Sequence, residues 1–184
     1  MFDIDEFVTS CRDALSEGPR AAVAVSEQID RVTSLPHLIE DAVGDLAEAA
    51  SFTTWHRSPE LTILHVVWPP SVDLFAHDHR MWAAIGLYGG REDNTFFRRR
   101  PDGTLERRGD GVSLRAGDSV VLGTETVHAV TNPSREWTGS IHVYGGDYFT
   151  DGRQMWPKAD GEAQPFDAIE LVRVLDAAAM AARG

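Results

Sequence analysis

The sequence predicts a mainly β fold, an antiparallel barrel or sandwich with helices packed against it from both ends. Three observations predict it. Up to about residue 50 the apolar side chains recur at spacings of three and four. From Ser51 to about Phe149 the chain changes to short alternating runs of Thr, Val, Ile and aromatic residues divided by turn signals. After Asp167 a helical stripe returns. At 184 residues the chain is expected to be one domain: a helical cap over 1–50, the strand region over 51–149, and a loop with a final helix over 150–184.

Taken in order, Ile4, Phe7, Val8, Cys11 and Leu15 form the apolar stripe of a first helix over 3–17, whose acidic start suits the positive end of the helix dipole. Gly18-Pro19 stops it, and Pro19 suits the first turn of a second helix carrying Val25, Ile29 and Val32. Leu35-Pro36 ends that one, and a short third helix runs through Leu38, Ile39, Val43 and Leu46. Strands are expected near 52–57, 61–68, 75–88, 93–100, 104–108, 118–122, 126–131 and 136–145, with turns at Pro101-Asp102-Gly103 and Ala116-Gly117-Asp118. Short strands at this spacing mean a barrel or a sandwich. The stretch from Asp147 to Gln164 is rich in Gly, Asp and Pro and reads as a surface loop tacked down by Trp156 and Phe166, after which Asp167 caps the last helix, with Ile169, Val172 and Leu175 on one stripe.

Composition narrows the function. A formal net charge of −12 argues against a nucleic-acid or membrane-surface binder, either of which carries a basic face. The triplet Arg98-Arg99-Arg100 is too short to reverse that and reads as a solvated hairpin end. The single cysteine, Cys11, allows no intrachain disulfide and no Cys-x-x-Cys site. No basic and apolar leader opens the chain and no apolar run is long enough to span a bilayer, so a cytoplasmic protein acting on a small molecule, with no obligatory protein partner, is the expectation.

Three groups of residues carry chemistry. In the apolar run from Phe75 to Gly90, His77 and His79 are alternate residues and can aim two imidazoles at one point from a strand. Gly117, His128 and Asn132 fall at the glycine, histidine and asparagine spacings of the second cupin motif, which this stretch resembles, with Gly123 and Glu125 replacing its Pro and Gly. In the first cupin motif a glutamate ligand follows the His-x-His, and here those places hold Ala83 and Ala84, while Glu92 lies too far along to stand in. The remaining set, His77, His79 and His128, suits a divalent transition metal with open coordination positions. His37, His56 and His65 are read as ordinary loop, flanking and core histidines.

A three-histidine cupin is similar to the thiol dioxygenases, of which cysteine dioxygenase is the best known. The third group, Ser140-Ile141-His142-Val143-Tyr144, resembles that family's Ser-x-His-x-Tyr relay, and strand alternation puts the three polar side chains on one face. Trp55-His56-Arg57 resembles the family's aromatic-x-Arg segment, and Trp68 stands at the family's separation from His77. The resemblance covers residues 55 to 149. It implies a cupin double-stranded β-helix, Fe(II) on the three histidines, Arg57 holding a substrate carboxylate, Tyr144 acting with His142 and Ser140, and O2-dependent oxidation of a small thiol or thione to a sulfinic acid. Cysteine, mercaptopropionate and a larger mercaptoimidazole-type compound are the candidate substrates, the larger one if the aromatics line a pocket. The cysteine that crosslinks to the relay tyrosine in animal enzymes is replaced by Ala84, so Tyr144 is expected to stay unmodified. Fold and three histidines do not fix a reaction, which leaves a carbon–carbon-cleaving oxygenase, an isomerase or a non-catalytic ligand-binding cupin as alternatives.

Overall fold

The computed structural model describes residues 2–48 and 52–184, so the expected start of the strand region at Ser51 lies outside the described residues. Asp3 caps α1 (Ile4–Ala14) by accepting from the backbone N–H groups of Asp5 at 2.9 Å and Glu6 at 3.1 Å. The first helix is shorter than expected: a 3-10 segment (Leu15–Arg20) takes over, and Gly18, at φ 58, bends the chain into α2 (Ala21–Thr33). Pro36 opens α3 (Pro36–Val43) from its first turn, where its missing N–H costs nothing.

The strands are β1 (Phe52–Arg57), β2 (Thr62–Trp68), β3 (Asp73–Asp78), β4 (Ala83–Gly89), β5 (Arg91–Arg99), β6 (Leu105–Arg107), β7 (Val112–Arg115), β8 (Ser119–Leu122), β9 (Val127–Thr131), β10 (Thr138–Tyr144), β11 (Gln154–Trp156) and β12 (Gln164–Pro165), followed by α4 (Ala168–Arg183). The run expected as one strand over 75–88 is two, because Arg80 takes a left-handed turn at φ 59 beside the buried Asp78. His77 to Arg80 carry no Gly, Pro or Asn turn signal and apolar residues resume at Met81, so hydrophobic periodicity does not reveal it. Nor does it reveal β7 or the pair β11 and β12, which occupy part of the stretch expected to be loop. Trp156 does tack that stretch down, buried at 1% exposure with Nε1 donating to the Gly103 carbonyl at 3.0 Å.

Strand pairing defines the architecture. One sheet runs β1-β2-β10-β4-β8 and the other β12-β11-β3-β9-β5-β6, with β7 on β5. The outgoing strands β2, β3, β4 and β5 pair antiparallel with the returning strands β10, β9, β8 and β7, and successive rungs alternate between the sheets. The pairings β10–β4 and β9–β5 join one turn of this ribbon to the next. A two-stranded ribbon wound in this way is a cupin-type double-stranded β-helix.

Both faces of the first sheet are covered, which explains why β2 and β10 are buried at every position. Leu64, Val66 and Trp68 point into the barrel with Ile85, Leu87 and Leu122. Ile63, Ile141, Val143 and Tyr88 point outward against Phe7, Cys11, Val25, Ile29 and Ile39 of the helices. Each such aliphatic side chain contributes about 1.5–3 kcal/mol on full burial. α2 lies so close that a Cβ on Gly86 would meet Ile29 Cγ2 at 2.1 Å, so an alanine there would push the helix off the sheet. At the other end α4 inserts Leu171 and Leu175 into the barrel cluster and closes its mouth. Among the described residues no helix is long and apolar enough to cross a membrane.

Candidate metal centre

His77 on β3 and His128 on β9 are direct cross-strand partners, with ring centroids 4.7 Å apart. His79 lies just past the end of β3, and its ring centroid is 5.0 Å from each of theirs. All three are buried, and one nitrogen from each lies within 4.8 Å of the other two. Three nitrogens each about 2.1 Å from one ion lie at most about 3.6 Å apart, so a shift of under about 1 Å by each ring would close this set on a metal.

Hydrogen bonds select the nitrogens. His128 Nδ1 lies 2.7 Å from Asn94 Oδ1, while Asn94 Nδ2 donates to Glu92 Oε1 at 2.8 Å. His128 Nδ1 therefore carries the proton. Its Nε2 is left as a buried lone pair with no partner, an atom that asks for a ligand. His77 Nδ1 faces the Phe75 carbonyl at 3.1 Å, which only accepts, so its Nε2 is also free. Burial takes His77 down to about pKa 4, partly opposed by the Phe75 carbonyl and assisted by the charge on Arg153. It also holds His79 and His128 well below the usual imidazole value, with the neighbouring imidazoles adding to the effect. Three neutral imidazoles is the form a divalent ion takes.

The polar chain along β10 shares this interior. Ser140 Oγ is 3.0 Å from His142 Nε2, and His142 Nδ1 is 3.1 Å from the Tyr144 hydroxyl. Ile141 and Val143, the intervening residues, face the helices. Burial lowers His142 to about 3 and raises Tyr144 well above the usual phenol value, so both are neutral. Tyr144 pairs in register with Ala83, while Ala84 faces the helices; neither residue can crosslink it.

Glu92 is the residue that reading the sequence for ligands passes over. It is fully buried, accepts from Trp68 Nε1 at 2.7 Å and from Asn94, and its Oε2 lies 3.8 Å from His142 Nε2. One carboxyl thus stands behind both the His128 arm and the β10 chain. Glu92 and Asn94 are alternate residues on one strand, a signal that period two supplies once the strand's inner face is known. Asn132 is also buried, but it organises a turn: Nδ2 reaches the carbonyls of Trp68, Pro69 and Glu136, and Oδ1 accepts from Ser134.

Arg57 is not brought to this place. It ends β1 with its side chain 52% exposed, donates through Nε and Nη2 to Asp147 at 2.9 Å, and stacks over Phe149. Its donors face an acid of the surface loop and not the cavity. His65 is the core histidine expected, 2.6 Å from the Tyr88 hydroxyl and stacked on Trp55 under the helices. The cavity over the histidines measures about 30 Å³ and is walled by Trp68, His142, Tyr144, Tyr148, Phe166, Leu171 and Leu175, among others.

No protein-family model matches the chain. Among solved structures it is similar to a protein of Bacillus halodurans (14% identity, TM-score 0.48, covering 78% of this chain and 90% of that one). It is also similar to an uncharacterized protein with a double-stranded β-helix domain from Klebsiella pneumoniae (15%, 0.45, 57% and 77%). A third is the Cnp3 cupin domain of Schizosaccharomyces pombe (11%, 0.45, 57% and 70%). Likeness this low says nothing about chemistry, and the fold rests on the strand pairing itself. The chain is a cupin-fold protein whose barrel gathers three buried histidines able to bind a metal.

Proposed function

We propose that the protein is a non-haem Fe(II) thiol dioxygenase that converts a small-molecule thiol or thione to its sulfinic acid with O2. One observation supports this reading above the others: a three-histidine cluster with no carboxylate ligand lies beside an uninterrupted Ser140, His142, Tyr144 hydrogen-bond chain, with the Tyr144 ring 5.0 Å from that of His79. The balance is simple. Both oxygen atoms end on sulfur, which loses four electrons as O2 gains four, so no external reductant is needed.

His77, His79 and His128 would hold the ion, and the chemistry it supplies when bound is thiolate coordination and electron donation to O2. The chain's own residues do the rest. Ser140 can donate to His142 Nε2 or to the Val66 carbonyl at 3.3 Å, so the chain has two directions. When Ser140 donates to Nε2, Nδ1–H donates to the phenol oxygen and frees the Tyr144 O–H to point at a ligand. When the chain reverses, Tyr144 donates to Nδ1 instead. Tyr144 is thus a proton donor that can be switched without charging either neighbour. Leu171, Leu175, Phe166 and Tyr148 keep bulk water from the reacting atoms.

The test is oxygen uptake by anaerobically iron-loaded protein given cysteine, 3-mercaptopropionate and a mercaptoimidazole in turn, with products weighed by mass spectrometry. A gain of two oxygen atoms on a thiol supports the proposal. Oxygen uptake that breaks a carbon–carbon bond, or none with any thiol, would favour another cupin chemistry on the same histidines.

A further inference from the structure

Glu92 on β5 is a fully buried acid that no arginine or lysine pairs among the described residues. Its nearest group able to carry a positive charge is His142, whose Nε2 lies 3.8 Å from Oε2. Both carboxyl oxygens act as acceptors, Oε1 from Asn94 Nδ2 at 2.8 Å and Oε2 from Trp68 Nε1 at 2.7 Å. Those two donors fix the group in place. Its distance from His142 is too long for a hydrogen bond, but short enough for a charge to be felt in a site closed to water. A buried carboxyl without a cation is costly when ionised, so its position here calls for a reason.

His142 supplies that reason. Its buried, neutral ring carries one proton, and the nitrogen that holds it decides what Tyr144 can do. Nε2 faces Ser140 Oγ at 3.0 Å and Glu92, whereas Nδ1 faces the Tyr144 hydroxyl at 3.1 Å. The two ends of the ring therefore stand in different fields. A negative charge on Glu92 draws the proton to Nε2, where Ser140 accepts it and donates in turn to the Val66 carbonyl at 3.3 Å. Nδ1 is then a lone pair, and Tyr144 donates to it. With Glu92 protonated that pull is gone. Ser140 donates to Nε2, the ring proton sits on Nδ1, and the Tyr144 O–H is free to point at the histidine cavity. Burial raises the Glu92 pKa from 4.5 to about 7, which brings both charge states within reach. The titratable groups around Glu92 are His142 and Tyr144 on β10, Asp93 on its own strand, paired with Arg91 at 2.9 Å, and His128 on β9, reached through Asn94. Its neighbours Leu114 on β7 and Trp68 on β2 do not titrate. His142 also feels His77 and His65, both lowered by burial to about 4.

We infer that Glu92 is the positioning residue of Tyr144: its charge, acting on His142 across 3.8 Å, decides whether the phenol donates into the β10 chain or toward the cavity. The inference names what sets the direction of the proton donor. Its consequence for turnover rests on the dioxygenase reading, whereas the link from Glu92 through His142 to Tyr144 is a property of the three side chains alone.

The experiment is nitrogen-15 NMR of the imidazoles in the full chain, free of metal, where the protonated and the bare nitrogen of a neutral ring have separate resonances. At pH 8.5 wild-type protein should hold the His142 proton on Nε2. Glu92→Gln removes the charge at nearly constant shape. It should shift the ratio of Nε2–H to Nδ1–H toward Nδ1 by about five- to ten-fold, the scale of a nearby unit charge acting on the ring dipole at an effective dielectric constant of about 20. Lowering the pH to 5.5 should move wild type by the same factor, in step with the Glu92 carboxyl carbon resonance, and leave the variant unmoved. A merely structural carboxyl would change stability and leave the ratio where it was. The inference is overturned if wild type and variant agree within about two-fold at pH 8.5, if the variant shifts the other way, or if the wild-type ratio stays fixed from pH 8.5 to 5.5. Should Glu92→Gln fail to fold by circular dichroism, the wild-type pH series decides alone. If the ratio moves as expected and no thiol is ever oxidised, the dioxygenase reading fails and this one stands. If thiols are oxidised while the ratio stays fixed, the reverse holds.

Discussion

Glu92 is a carboxyl group enclosed by protein on every side, and substituting Gln for it gives a quantitative test of the network behind the histidines. Burial raises its pKa from 4.5 to about 7, more than the hydrogen bonds from Asn94 and Trp68 lower it. Below about pH 4.5 the group is protonated in both folded and unfolded chains and exerts no pH-dependent effect. Between there and pH 7 the folded chain retains a proton that the unfolded chain has released. Stability therefore falls by about 1.4 kcal/mol per pH unit, about 3 kcal/mol in all. The buried histidines act in the opposite sense. Their lowered values make the folded state lose stability as pH falls below 6.5, toward about 4 for His65 and His77. Those histidine contributions are common to wild type and Glu92→Gln and cancel in the difference. The amide also sets a donor against the N–H groups of Trp68 or Asn94, but that cost is constant with pH. The assay is urea unfolding of chelator-treated protein at half-unit steps from pH 5 to 8.5. The stability of wild type minus that of Glu92→Gln should fall by about 2.5 kcal/mol across that range and level off above pH 7. A difference that stays flat within about 0.5 kcal/mol, the size of an ordinary surface effect, would show that Glu92 is ionised in the fold and refute the reasoning.

His77→Ala, His79→Ala and His128→Ala should each abolish retention of iron through gel filtration, measured by elemental analysis, and unchanged metal in all three would end the site assignment. Asn94→Ala, which frees His128 Nδ1 without removing a ligand, should weaken metal affinity by about ten- to hundred-fold in a competitive chelator titration. Tyr144→Phe should leave iron content unchanged and lower turnover about ten-fold or more at saturating thiol, as expected for loss of a positioned proton donor; wild-type turnover would reduce the β10 chain to packing. Arg57→Ala should leave the KM for a carboxylate-bearing thiol within about two-fold, because an exposed pair such as Arg57 with Asp147 contributes about 0–1 kcal/mol to stability and lies off the cavity. A large rise in KM would return Arg57 to the substrate.

What could be read from the residues alone is what strand alternation controls. Ser140, His142 and Tyr144 share a face because period two is local, and a contact between His77 and His128 could be anticipated from two spaced motifs. Helix ends marked by Asp3, Pro36 and Asp167 were legible for the same reason. The break at Arg80 was not, since it depends on Asp78 being buried where Gln154 N–H and Arg99 can reach it, and both come from distant strands. β11 was hidden because three residues carry no periodicity, and what pins it is a side-chain acceptor on β3. The burial of Arg153 was invisible for a related reason: it stands in a Gly- and Asp-rich stretch, and what buries it is Tyr148 and Phe166 closing on it. Arg57 shows the converse, a motif position whose partner was decided by a nearby surface acid.

From its topology we expect the wound ribbon to close in a set order. Its apex is the turn between β5 and β6, and from there the rungs close outward through β5–β7, β4–β8, β3–β9 and β2–β10, each shortening the loop the next must close. The rung that unites His77 with His128 is the third. A nucleus that grows from the apex has no metal site to offer, so added metal should slow unfolding while leaving the refolding rate unchanged in stopped-flow measurements; a refolding limb accelerated by metal would place the histidine rung inside the nucleus. On this order of events an ion held by the three histidines would arrive late, as a clasp fastened on a ribbon already wound.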